Sequence, residues 1–127
     1  MKNVLLALLA VCFASAHAVE LDSAAKRYRV SFDTPSHGWP LNEPFSLPLQ
    51  LSSRNGPGLP NDLSIDVDAS MPAHRHGAAL VPLVRRTGPQ QFRVDGLLFH
   101  MSGAWRIKLT LTSGSLVDEV VLHAHVD

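Results

Sequence analysis

The chain has one cysteine, Cys12, placed in its N-terminal segment. A lone cysteine excludes an internal disulfide framework, a Cys-x-x-Cys zinc or redox site and covalently attached haem. An excess of either charge is lacking as well. Eleven Lys and Arg face eleven Asp and Glu, with no run of like sign. That balance argues against nucleic acid or an anionic membrane surface as the main partner. Aromatic residues make up only 6% of the chain, so Trp39 and Trp105 read as core or rim packing rather than a recognition platform. There is no phosphate-cradling glycine loop, no nucleophile elbow and no local triad signature, so the chain is not expected to be an enzyme. Asp66 and Asp68 alternate outward and read as a solvated face, not an acid–base pair.

No apolar run reaches the roughly 20 residues that a membrane-spanning helix needs. The longest, over residues 4–14, follows Lys2 and precedes Ala16-His17-Ala18. This is the pattern of a secretory signal with an A-x-A cleavage site. The expectation is a signal peptide over residues 1–18 and a single periplasmic or secreted domain over residues 19–127, with no membrane span after processing. An alternative reading takes Leu9-Ala10-Val11-Cys12 as a lipobox, with Cys12 carrying lipid. Cleavage after Ala18 leaves a domain with no thiol ligand, yet long enough to hold itself together by an apolar core.

What is present is alternation. Residues 19–25 read as a short lead-in. Tyr28, Val30 and Phe32 then alternate with polar neighbours, as do Phe45, Leu47, Leu49 and Leu51, and Leu63, Ile65 and Val67. Pro48 lacks a ladder N–H, which places its strand at an edge or at a bulge. Short strands follow over residues 81–86 and from Phe92 onward. Trp105, Ile107, Leu109 and Leu111 form the clearest strand, and Val120, Leu122, Ala124 and Val126 the last. Gly, Pro, Asn and Ser punctuate the gaps. About seven such strands in one domain predict an all-β, immunoglobulin-like antiparallel sandwich.

Two short segments break the pattern. Met71-Pro72-Ala73-His74-Arg75-His76-Gly77 and Phe99-His100-Met101 put imidazoles and thioethers close together in sequence. Thioether with imidazole suits copper better than zinc, magnesium or calcium. His74 and His76 are two apart, so in an extended segment both side chains leave one face, as a chelating pair requires. His100 and Met101 are adjacent and would point to opposite faces of a strand unless the backbone bends there, which Gly103 permits. The candidate metal ligands are therefore His74, His76, Met71, His100 and Met101, with a copper ion as the cofactor. Only neutral imidazole coordinates, so such a site weakens in acid. A solvated loop and ordinary core filling are the competing readings for these residues. His123 and His125 share the outer face of the last strand and read as a plain polar row.

The same segments carry a resemblance. Asp68-Ala69-Ser70-Met71-Pro72-Ala73-His74-Arg75-His76-Gly77, then Pro82, then the stretch from Phe92 through Gly96-Leu97-Leu98-Phe99-His100-Met101-Ser102-Gly103-Ala104-Trp105 to Ile107, resemble the YtkA-like domain family, which is similar to FixH-type domains. The resemblance covers about residues 60–126. It implies a small extracytoplasmic sandwich of the bacterial envelope, and its FixH link implies copper handling or oxidase assembly. The family pattern carries over to Met71, Pro72, His74, His76, Gly77, Phe99, Met101, Gly103 and Trp105, while His100 falls at a variable position. The expected function is a periplasmic copper-binding accessory protein, with an envelope protein as partner. The alternative is a metal-free structural or interaction module.

Overall fold

The computed structural model describes residues 17–127. The expected signal peptide and the alternative lipid attachment at Cys12 lie, apart from His17 and Ala18, outside the described residues. Two antiparallel sheets pack face to face. One holds β1 (Ala18–Asp22), β2 (Tyr28–Asp33), β3 (Phe45–Ser53), β7 (Gln91–Leu97) and β6 (Leu83–Arg86), in that order. The other holds β5 (His76–Gly77), β4 (Ser64–Met71), β8 (Gly103–Ser113) and β9 (Leu116–Val126). The chain is thus the all-β antiparallel sandwich expected from its alternation. No helix among the described residues is long and apolar enough to cross a membrane.

The alternating residues line the core as the pleat requires. On β8, Trp105, Ile107, Leu109 and Leu111 are buried, and on β9 Val120, Leu122, Ala124 and Val126 join them. From the facing sheet come Tyr28, Val30 and Phe32, then Leu47, Leu49 and Leu51, then Phe92, Val94 and Leu97. Each such side chain contributes about 1.5–3 kcal/mol on burial. β8 lies between β4 and β9, so the strand richest in large apolar residues is central.

Two strands are added to the expected set. Residues 19–25 are not merely a lead-in: β1 pairs with β2 from Ala18↔Asp33 to Asp22↔Arg29. Val19 and Leu21 are its half-buried, core-facing residues, a weak alternation that only an edge strand can use. The second addition is β5, two residues that fold back on β4.

β3 lies inside its sheet, not at an edge, and Pro48, which pairs in register with Arg93 of β7, lies beyond the end of the β2 ladder. β2 pairs only with Gln50–Ser53 of β3, leaving Pro48 outside that ladder. The other ladder, with β7, shifts register between Phe45 and Leu47. Phe45 faces Leu97 and Leu47 faces Val94, so Asp95 and Gly96 together oppose Ser46. This is a bulge on β7, with Gly96 at φ +78°, a value that glycine adopts without steric cost. The extra residue reverses the side-chain parity of everything that follows. Phe92 and Val94 face the core before it, Leu97 and Phe99 after it.

Candidate metal centre at one end of the sandwich

β4 ends at Met71, and the chain returns at once. Met71 pairs with His76 and Ser70 with Gly77, while the Ala78 N–H donates to the Ala69 carbonyl at 2.9 Å. Between them, Pro72–His74 form one 3₁₀ turn and Arg75 is left-handed, at φ 53°. Proline fits the first position of such a turn because no N–H is needed there. The segment is therefore a tight hairpin and not an extended strand. The expectation that His74 and His76 leave one face by strand periodicity does not apply, because His74 closes a 3₁₀ turn and the one residue between them, Arg75, is left-handed. His74 is exposed on the turn, and the side chain of His76 lies outside what the structure describes.

The partner segment reaches the same end through the bulge. Phe99 is fully buried. Its carbonyl accepts the Asn42 N–H at 2.8 Å, tying the loop before β3 to this strand exit. The chain leaves β7 after Leu97 and bends at Met101-Ser102 before β8 begins. His100 and Met101 are consequently not on opposite faces of a strand, and both are half-buried. Trp105 organises them. Its indole Nε1–H donates to the Met101 carbonyl at 2.9 Å, and its ring meets His100 edge-on at 5.3 Å. Phe99 packs on the same indole at 5.0 Å, and Trp39 and Phe45 pack on Phe99 at 5.9 and 5.2 Å.

Gly103 joins the two segments. It sits at φ +121°, and a Cβ there would lie 3.0 Å from the Met71 methyl carbon. Met71, only 1% exposed, therefore lies directly beneath the backbone that follows Met101. The structure brings Met71, His74, the backbone of His76, His100 and Met101 to one end of the sandwich. It does not bring His123 and His125 there as ligands: both are exposed on the outer face of β9, as the sequence implied. Asp66 and Asp68 are likewise exposed on β4. The anchoring role of Trp105 and the bulge at Gly96 are the features that sequence reasoning missed. The one available signal was the jump from Val94 to Leu97, an odd spacing of inward residues across a glycine.

Beside the bulge, the Asp95 carboxylate accepts from Ser46 Oγ at 2.7 Å, Arg93 Nε at 2.7 Å and Arg85 Nε at 3.0 Å. The Ser46 hydroxyl is the main reason its carboxyl is held below the ordinary range, and the two guanidiniums reinforce it against partial burial. Asp95 is thereby committed to locking the outer face of the sheet.

Among the described residues no three His, Cys, Asp or Glu side chains form a metal-holding group. A metal held at this end would need thioether sulfur as well as imidazole. That donor set fits copper, whose reduced ion accepts two to four soft ligands, and fits zinc or calcium poorly. No family model, curated protein or solved structure matches the chain.

Proposed function

We propose that this chain is a copper-binding accessory protein of the bacterial envelope, non-enzymatic, in the manner of the YtkA-like and FixH-type domains that its Met71–Gly77 and Gly96–Trp105 blocks resemble. His74 and His76 supply imidazole from the hairpin, and Met71, His100 and Met101 complete the set. A bound copper ion would give the protein a cargo to hold and pass on. The chain's own part is to present the donors, keep bulk water from the buried thioether and fix the Met101 segment through Trp105. The observation that carries this reading is the approach of Met71 to Gly103, with its methyl carbon 3.0 Å from where a Cβ would stand. It joins two segments about 30 residues apart in sequence that hold the soft donors.

The test is copper titration of the wild type against His74→Ala/His76→Ala. The double variant is expected to bind copper at least about tenfold more weakly, a difference of roughly 1.4 kcal/mol. Equal affinity in both proteins would reject the proposal.

One observation favours a second reading, a metal-free interaction module. Leu80, Val81 and Leu83 are 42%, 85% and 69% exposed, directly after the hairpin and on edge strand β6. Exposed apolar residues on a sheet edge are a surface that another chain can cover. Native purification without stoichiometric metal, together with a retained envelope partner, is what this reading predicts.

A further inference from the structure

We infer that this end of the sandwich selects a soft monovalent cation, Cu(I) or its surrogate Ag(I), over Cu(II). The inference rests on the copper reading above and names the ion which that site would favour. Met71 offers its thioether from within the core, at 1% exposure, with its methyl carbon against Gly103. Met101 packs half-buried against the same core, and its carbonyl is pinned by Trp105 Nε1 at 2.9 Å. The same core holds the rings of Phe99, Trp105, Trp39 and Phe45, with centroids 5.0 to 5.9 Å apart along the chain of contacts.

Two physical effects then act in the same direction. Sulfur in a thioether is a soft, uncharged donor, matched to Cu(I) and Ag(I), whereas Cu(II) prefers nitrogen and oxygen in a tetragonal array. The second effect is electrostatic. Moving an ion from water to an apolar setting costs free energy that rises with the square of its charge. Thioethers and neutral imidazoles bring no negative charge to offset that cost, so the divalent ion is penalised more heavily than the monovalent one. Trp105 acts as a positioning residue, since its indole N–H holds Met101 by the backbone carbonyl.

The experiment uses the full chain labelled with ¹³C at the methionine methyls. Ag(I) and Cu(II) are titrated separately, and Cu(I) is added anaerobically with ascorbate against a competing cuprous chelator. The expected result is movement of the Met71 and Met101 methyl resonances with Ag(I), and Cu(I) bound at least about a hundredfold more tightly than Cu(II). Met71→Leu and Met101→Leu should each weaken Ag(I) binding about tenfold or more, and Cu(II) binding by a clearly smaller factor. Leucine conserves the volume of methionine, so the fold should survive, which the melting temperature checks. Met101→Leu, at the less buried position, is decisive on its own if Met71→Leu unfolds. Equal affinity for Cu(I) and Cu(II), or Ag(I) binding with both methyl signals unmoved, overturns the selectivity and leaves the copper reading standing. Binding of no ion overturns both.

Discussion

Where β8 turns into β9, carboxylates close the sandwich; where β4 hands over to the hairpin and Phe99 leads into β8, thioethers and aromatic rings do so. At the first end, Asp118, 5% exposed, accepts from Ser23 Oγ at 2.6 Å and from the Ala25 and Glu119 N–H groups at 2.8 and 2.9 Å. Ser23 Oγ in turn accepts the Tyr28 N–H, so one buried carboxylate pins the β1–β2 turn of one sheet onto β9 of the other. Asp62 caps the β8–β9 turn through Ser113 Oγ and the Gly114 N–H. In each carboxylate one oxygen accepts a serine hydroxyl and the other accepts backbone N–H. At the second end the Trp105 indole N–H donates to the Met101 carbonyl and the Asn42 N–H to the Phe99 carbonyl, and around them Phe99, Met71 and Met101 pack into the core. The comparison teaches a division of labour: carboxylates tie the chain at one end, and aromatic and thioether packing shapes the other.

The largest effect that tests this division is Trp105→Ala. Truncating a buried Trp costs about 3–5 kcal/mol, and here it also frees the Met101 carbonyl and strips the support of His100 and Phe99. Urea denaturation should show that loss, and copper affinity should fall with it. If stability drops while copper affinity is unchanged, the packed end is merely a core and the comparison fails.

Asp118→Asn probes the opposite end with the next largest effect, about 2 kcal/mol from weakened charge-assisted hydrogen bonds. Burial pushes the Asp118 carboxyl up, but the Ser23 hydroxyl and the Ala25, Glu119 and Arg27 backbone N–H groups outweigh it and hold the carboxyl below its ordinary value. A carboxyl with a depressed folded pKa contributes stability that is whole above the unfolded value of about 3.9 and drains as pH falls through the folded one. The stability gap between wild type and Asp118→Asn should therefore be flat from neutral pH down to about 5 and shrink only below about 4. Copper affinity at neutral pH should not change, since the carboxylate sits at the other end of the strands. A gap that closes well above pH 5, or a copper site that weakens, would break the separation of the two ends.

The sheets were legible in the sequence because burial alternates where a strand has one dry face. Trp105 to Leu111 and Val120 to Val126 announce themselves in that way. β1 was not legible: it offers only Val19 and Leu21, and its pairing is supplied by β2, not by its own pattern. The site was legible as composition and not as geometry. Sulfur and imidazole stand out in Met71–Gly77 and at residues 100–101, but the hairpin depends on a left-handed Arg75, a conformation that arginine does not advertise. The parity switch at Gly96 depends on β3 opposing one residue to two, and such pairing information lies on another strand. Pro48 shows the same limit. Read alone it demands an edge or a bulge, and only the register of two neighbouring ladders shows that β3 lies inside its sheet with the bulge on its partner.

Gly103→Ala is the smallest and sharpest change, because it touches the one place where the two donor segments meet. An alanine at φ +121° is strained, and its methyl would press on the Met71 methyl carbon at 3.0 Å. Together these cost about 1–2 kcal/mol, read as a lowered melting temperature. The same press must move either Met71 or the bend after Met101, the two places where the proposed copper site has its thioethers. Copper affinity should then fall by more than the stability loss alone would give, since most molecules remain folded at 25 °C. The double variant Gly103→Ala/Met71→Ala separates the two contributions: removing the long side chain relieves the steric part and leaves the backbone strain. If Gly103→Ala costs as much in the Met71→Ala background as in the wild type, Met71 does not lie against Gly103, and the junction of the two segments is lost with it.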